Sequence, residues 1–199
     1  MMKKLAGLFL LMGIATTVFC QEWGVKTHSA FNEKWYTYWA LGASNLTFVD
    51  DDVQKIYEDF EDLVDTRLTI NLDLLGLYLP VTNNAIAGVI INGTGDRFEF
   101  DDHWFQENYI TYSLSAIHYL STFGRGIFIR ADGGLAAYNY QDSDGTNENL
   151  EETGYGLLVG SGYSFEIGRN SILLNLNFSH RNIDDVKLNV ISLNVGGLF

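Results

Sequence analysis

Apolar and polar residues alternate one for one along most of this chain. In residues 171–180, Ile172, Leu174, Leu176 and Phe178 fall on one face, and Asn175, Asn177 and Ser179 fall on the other. Successive side chains of a β-strand point to opposite faces, so a period of two predicts a strand with one apolar and one polar side. Residues 155–165 repeat the pattern, with Tyr155, Leu157, Val159, Tyr163 and Phe165 against Gly156, Gly160, Gly162 and Ser164. So does the last stretch, where Ile191, Leu193, Val195 and Phe199 oppose Ser192, Asn194 and Gly196. Five further runs alternate less regularly, over 34–47, 67–75, 85–95, 109–120 and 126–140. The pattern predicts an all-β chain of eight strands.

The connections between these runs also alternate. Those at 48–66, 96–107 and 141–152 are long, those at 80–84, 121–125 and 166–170 are short, and the last, at 181–186, is modest. An even number of antiparallel strands with long connections at one end and short turns at the other predicts an up-and-down barrel. A membrane-spanning helix is not expected. The longest uncharged stretch, Leu74 to Gly95, is interrupted by Pro80 and by Asn83-Asn84, which are turn signals. One segment follows a different period. Val53, Ile56, Tyr57, Phe60 and Val64 recur at helical spacing behind Asp50 to Asp52, whose charges suit a helix N-terminus. It predicts a short amphipathic helix in the first long connection, lying over the barrel mouth as a lid.

Charge placement decides which face of the strands points outward. A soluble barrel turns its apolar face inward and needs charged residues outside. Here the polar face is mostly Gly, Ser, Asn and Thr, small residues that suit the narrow interior of eight strands. The opposite face is rich in Leu, Ile, Val and aromatic rings, which suit lipid. The mid-strand charges Arg67, Asp73, Arg130 and Asp132 all fall on the polar face and are expected to lie in the lumen. Trp35, Trp39, Tyr109, Tyr112, Tyr155 and Tyr163 are candidates for aromatic girdles at the two interfaces. The fold expected over 34–199 is an eight-stranded antiparallel up-and-down transmembrane β-barrel, monomeric, with a short helix in its first external loop.

Residues 1–20 form a separate element. Lys3 and Lys4 precede an uncharged apolar stretch from Leu5 to Phe19, and Val18 and Cys20 stand just before Gln21. This is the plan of a cleaved export signal, leaving 21–33 as an N-terminal periplasmic segment. The alternative is lipid attachment at Cys20, but Phe19 occupies a position that normally needs Gly, Ala or Ser. Cys20 is the single cysteine, so a chain beginning at Gln21 has no disulfide.

The formal net charge of −13 excludes nucleic acid as a partner, since phosphate binding needs a basic footprint. Twenty of the 25 acidic residues lie in 50–65, 96–107, 141–152 and Asp184-Asp185, so one end of the barrel is expected to be acidic. Asp142-Ser143-Asp144-Gly145 begins like a calcium loop, yet Asn147 and Thr153 stand where an EF-hand needs Gly and Glu. No metal or cofactor site is assigned. Loose bridging of divalent cations to lipopolysaccharide phosphates is the remaining cation reading.

The chain ends on Phe199, an aromatic in the lipid-side register of the last strand. With the export signal and the eight alternating runs, this resembles the small OmpA- and OmpX-type barrels and the broad outer membrane protein β-barrel families. Segments 89–98 and 126–135 have the same texture. The resemblance implies a bacterial outer-membrane location, contact with outer-membrane lipids and lipopolysaccharide, and Phe199 as the signal read by the barrel assembly machinery. It implies little about activity; the long connections, all facing outward, fit a structural or surface-interaction role without catalysis. One alternative is binding or uptake of a small hydrophobic ligand or lipid at the mouth, under 48–66. Another is a lipid-modifying enzyme. Phe178-Ser179-His180-Arg181-Asn182 resembles the lipid A deacylase pattern, but that family places a serine where Asn182 stands. Ser179 and His180, being adjacent on a strand, are expected to face opposite ways.

Overall fold

In the computed structural model the described residues are 35–61, 63–100, 103–144, 147–148 and 153–199; the expected export signal and the 21–33 segment lie outside them. The eight strands are β1 (Tyr36–Phe48), β2 (Thr66–Thr82), β3 (Ala85–Phe100), β4 (His103–Tyr119), β5 (Gly126–Asp142), β6 (Thr153–Ile167), β7 (Asn170–Ile183) and β8 (Val186–Leu198). Each pairs antiparallel with its sequence neighbours, and β8 pairs back onto β1 from Tyr38↔Leu198 to Phe48↔Leu188. The terminal Phe199 extends that seam by exchanging backbone hydrogen bonds with Thr37, at 2.9 and 3.0 Å. The sheet is therefore closed and has no free edge.

Several strands run further than their apolar pattern. Residues 96–100 and 103–107, expected in a long connection, are instead paired strand. The β3–β4 ladder continues without a slip from Ala85↔His118 to Phe100↔His103. Likewise β5 reaches Asp142, and Asn147–Glu148 adds two rungs against Tyr140 and Gln141. The last connection is only a two-residue turn, with Asp184 and Asp185 at φ 44° and 69°. Asp tolerates this left-handed region, and such turns match the twist of the flanking strands. The reason for the difference is physical. Alternation of apolar with polar marks only the part of a hairpin that crosses lipid, and above it both faces can be polar.

The face assignment holds strand after strand. Leu157, Val159, Leu174, Leu176, Phe178, Leu193 and Val195 are exposed on the outside, whereas Ser179, Asn175, Asn177, Ser192 and Asn194 are buried inside. An exposed belt this apolar is stable only in lipid. Trp39 stacks on Phe199, and Tyr163 packs on Phe165, near the short-turn end; Tyr155 lies against His180 nearer the other. Tyr109, expected in the girdle, instead points inward and is 5% exposed. It shares the parity of Thr111 and Ser113, and its hydroxyl has a partner only inside. At the end away from the chain terminus, polar outer residues close the belt: Gln106 donates to Asn108 (2.6 Å), Asn108 to Asn139 (3.3 Å), and His180 pairs with Asn189 (2.8 Å). No helix among the described residues is long and apolar enough to cross a membrane. The strands make the crossing.

The lumen is layered. At the short-turn end, Tyr36, Tyr38, Tyr78, Ile86, Ile117, Tyr119, Phe128 and Leu173 form a buried apolar cluster. Phe123, from the β4–β5 connection, completes it, and that connection is pinned by Ser164 and Ser171 hydroxyls donating to the Gly124 carbonyl (2.6 and 2.8 Å). A second cluster, with Leu46, Ile183, Leu188 and Val190, sits toward the opposite mouth. Between them lies a polar layer. Gly154, Gly156, Gly160 and Gly162 take most of the inner face of β6, which makes room for neighbouring side chains. A Cβ on Gly162 would stand 2.7 Å from the Phe128 ring, and one on Gly156 would stand 2.6 Å from the Thr111 hydroxyl.

Candidate functional site

Two groups of polar residues could carry function: the middle of the lumen and the mouth beneath the helix. In the middle, the alternation of β2, β4 and β5 turns Asp73, Ser115, Arg130 and Asp132 inward. Arg130 donates to Asp73 through Nη1 (2.6 Å) and to Asp132 through Nη2 (2.6 Å) and Nε (3.0 Å), with all three side chains buried. Each carboxylate has a second donor as well. Asn92 donates to Asp73 (2.7 Å) and Ser115 to Asp132 (2.5 Å), while Tyr78 donates to Ser115 (2.8 Å) and Ser113 to Asn92 (3.0 Å). The guanidinium carbon lies 5.3 Å from the Tyr38 ring centre. Such a network satisfies nearly every lone pair and proton of the buried ions, which is the condition for holding charge in a low dielectric.

Arg181 is the lumen charge that sequence reasoning missed. It is 1% exposed and donates only to hydroxyls: Thr111 (2.9 Å), Thr94 (3.1 Å) and Ser179 (3.4 Å). With Arg130, Asp73 and Asp132 it brings the central layer to two cations and two carboxylates. Its position was assigned to a connection, although it keeps the inward parity of Asn177 and Ser179. That parity is the signal that could have found it. On the facing wall of β7 and β8, both amide atoms of Asn177 and the Oδ1 atoms of Asn175 and Asn194 have no protein partner.

Arg67 does not join the central pair; it lies at the mouth. The helix α1 (Asp51–Glu61) begins behind Asp50, whose carboxylate accepts from the Asp52 and Val53 amides (3.0 and 3.1 Å) and caps it. Val64, expected in its apolar stripe, falls beyond its end. Tyr57 and Phe60 dock it onto the barrel rim, with Tyr57 against Phe48 and Phe98, and Phe60 against Phe98 and Phe105. Asp96 is the anchor. It is fully buried and accepts from the Tyr57 hydroxyl, from Arg67 Nη2 (2.9 Å) and from Thr69 (2.8 Å). Arg67 also reaches Glu61 of the helix at 2.6 Å. Burial, with the Asp96 carboxylate beside it, holds the Tyr57 phenol well above its ordinary value, so the hydroxyl remains a donor.

Directly across the ladder from Asp96 stands Glu107, level with the polar collar, between Gln106 and Asn108, and so at the edge of the lipid belt. Its carboxylate accepts from Tyr138 (2.9 Å) and Tyr109 (3.0 Å). Burial raises its proton affinity above the ordinary carboxylate value; the two tyrosine donors oppose this and Asp96 adds to it. Among the described residues no ion pair to Glu107 occurs, and no three His, Cys, Asp or Glu side chains gather to hold a metal. Ser179 and His180 face opposite sides of β7: Ser179 is in the lumen and His180 pairs with Asn189 outside.

A closed sheet with an apolar exterior and an ion-paired interior defines a small membrane-spanning β-barrel. The solved structures it resembles are of that architecture. Ail, the attachment invasion locus protein of Yersinia pestis, solved with the heparin analogue sucrose octasulfate, superposes with a TM-score of 0.53 at 15% identity, over 84% of this chain and 100% of that one. Neisserial surface protein A gives 0.52 at 12% identity, over 83% and 96%. At these identities the likeness is one of fold. No protein-family model and no curated protein sequence matches the chain.

Proposed function

We propose that this chain is a closed, non-conducting barrel of a bacterial outer membrane that presents an acidic, helix-capped face to the outside in a structural or surface-interaction role, without catalysis. The observation that carries this reading is the filled lumen: among the described residues, buried apolar clusters toward both ends enclose a layer of paired charges. An eight-stranded interior has room for side chains and little else. On this reading residues 1–20 direct export, 21–33 lie in the periplasm, and Phe199 at the seam is the group that the assembly machinery reads. Lipopolysaccharide and the surrounding lipids meet the apolar belt and its collar. Ail was solved with a polyanion and carries attachment in its name, and Neisserial surface protein A carries the surface in its own. The acidic rim here favours cationic over polyanionic partners.

Planar-bilayer recordings test the closed lumen. The refolded chain is expected to give no steady conductance at moderate voltage. Stable single-channel steps would overturn the reading.

A further inference from the structure

Beneath α1 lies a cavity of about 270 Å3 in which Glu107 is the only charged residue among the described residues that line it. Val53 and Ile56 of the helix roof it, and Ile183, Val186 and Leu188 of the β7–β8 hairpin wall it. Ile56 is 69% exposed, so the roof meets solvent. Tyr57, Tyr109 and Tyr138 line the same cavity. The ion pairs of the mouth leave Glu107 out: Arg67 is bonded to Asp96 and Glu61, and among the described residues no cation is bonded to Glu107. Like charges directly opposite on a ladder repel, and Asp96 and Glu107 are such a pair. Each Glu107 oxygen accepts one tyrosine proton, which leaves further acceptor capacity on both.

We propose that this cavity binds a small organic ammonium ion, its charge on Glu107 and its apolar body against Ile56, Ile183 and Leu188. A bare metal ion fits poorly, since Ca²⁺ or Mg²⁺ seeks six or more oxygens and here one carboxylate stands among rings and methyl groups. A soft cation suits the same surroundings, because tyrosine faces attract cations and the walls accept hydrocarbon. The volume lies just under the range of about 300–1,000 Å3 usual for drug-sized ligands, so the occupant is a one-ring or short-chain amine. The assignment goes beyond the closed-barrel reading and stands whether or not the lumen conducts.

Calorimetry on the chain refolded into zwitterionic lipid nanodiscs, with empty nanodiscs subtracted, tests it using three probes of one shape: 2-phenylethylammonium, 2-phenylethanol and phenylacetate. The ammonium is expected to bind saturably and about tenfold or more tighter than the alcohol, as a charge-assisted hydrogen bond warrants, and phenylacetate is expected not to bind. Glu107→Gln should bring ammonium and alcohol to parity, and Ile56→Trp, which fills the cavity from its roof, should abolish both. Equal binding of ammonium and alcohol to the native barrel would overturn the proposal, as would undiminished ammonium binding by Glu107→Gln. If that variant fails to fold, the native comparison alone decides.

Discussion

Replacing Arg130 with methionine is expected to destabilise the barrel by about 3–5 kcal/mol, the usual cost of breaking a buried ion pair from one side. The substitution leaves Asp73 and Asp132 inside the lumen with no cation bonded to either, and both are essentially unexposed. Urea titration of the chain folded into phospholipid vesicles measures the effect as a fall in the unfolding midpoint. Removing all three charges together, by adding Asp73→Asn and Asp132→Asn, should recover most of the loss, because no ion is then left without a partner. Arg181→Met should cost less than Arg130→Met. Arg181 touches only hydroxyls, so its removal strands no bonded carboxylate. A midpoint unchanged in Arg130→Met would show that the triad is solvated rather than buried.

The second large effect belongs to the outer face. Leu174→Arg places a cation on the lipid side of β7, where a charge near the bilayer midplane costs about 2–4 kcal/mol. Reduced yield of folded barrel in vesicles, or a lower unfolding midpoint, reads the change. The same cation at Asn182, above the collar formed by His180 and Asn189, should cost about 0–1 kcal/mol, as expected near the interface. Equal costs at the two positions would remove the lipid belt from the account.

Strand identity and facing were legible because lipid and lumen impose opposite chemistry on alternate residues. Ile172, Leu174, Leu176 and Phe178 could be assigned outward, and Asn175, Asn177 and Ser179 inward, on that ground alone. The top of the barrel was not legible, because above the lipid the constraint disappears. Asp96 and Glu107 read as loop acids, yet they stand opposite each other on a continuous ladder, one holding α1 and the other facing the cavity. Tyr109 was drawn to the girdle by its residue type, although Tyr112, with opposite parity, already placed it inside. The inward facing of Arg130 and Asp73 followed from parity. Their pairing did not, because β2 and β5 are not neighbours in the sheet and meet only across the lumen. Which residues meet across a lumen depends on curvature and stagger, which a linear pattern does not encode. The helix was visible from its spacing and from the charges of Asp50 to Asp52 at its start, but its docking on Phe98 and Phe105 needed the extended hairpin.

Adjacent leucines on one strand give the most direct test of the central claim that the apolar face meets lipid and the polar face encloses the lumen. Leu174 and Leu157 are 42% and 55% exposed on the outside, while their neighbours Leu173 and Leu158 are 0% and 4% exposed inside. Nuclear Overhauser contacts between lipid acyl chains and leucine methyls, measured on the native chain in nanodiscs, separate the two pairs without any substitution. Acyl-chain contacts at Leu157 and Leu174, and none at Leu158 and Leu173, are the result predicted. Contacts at Leu158 and Leu173, or at neither pair, would contradict a barrel that spans the membrane with this face outward.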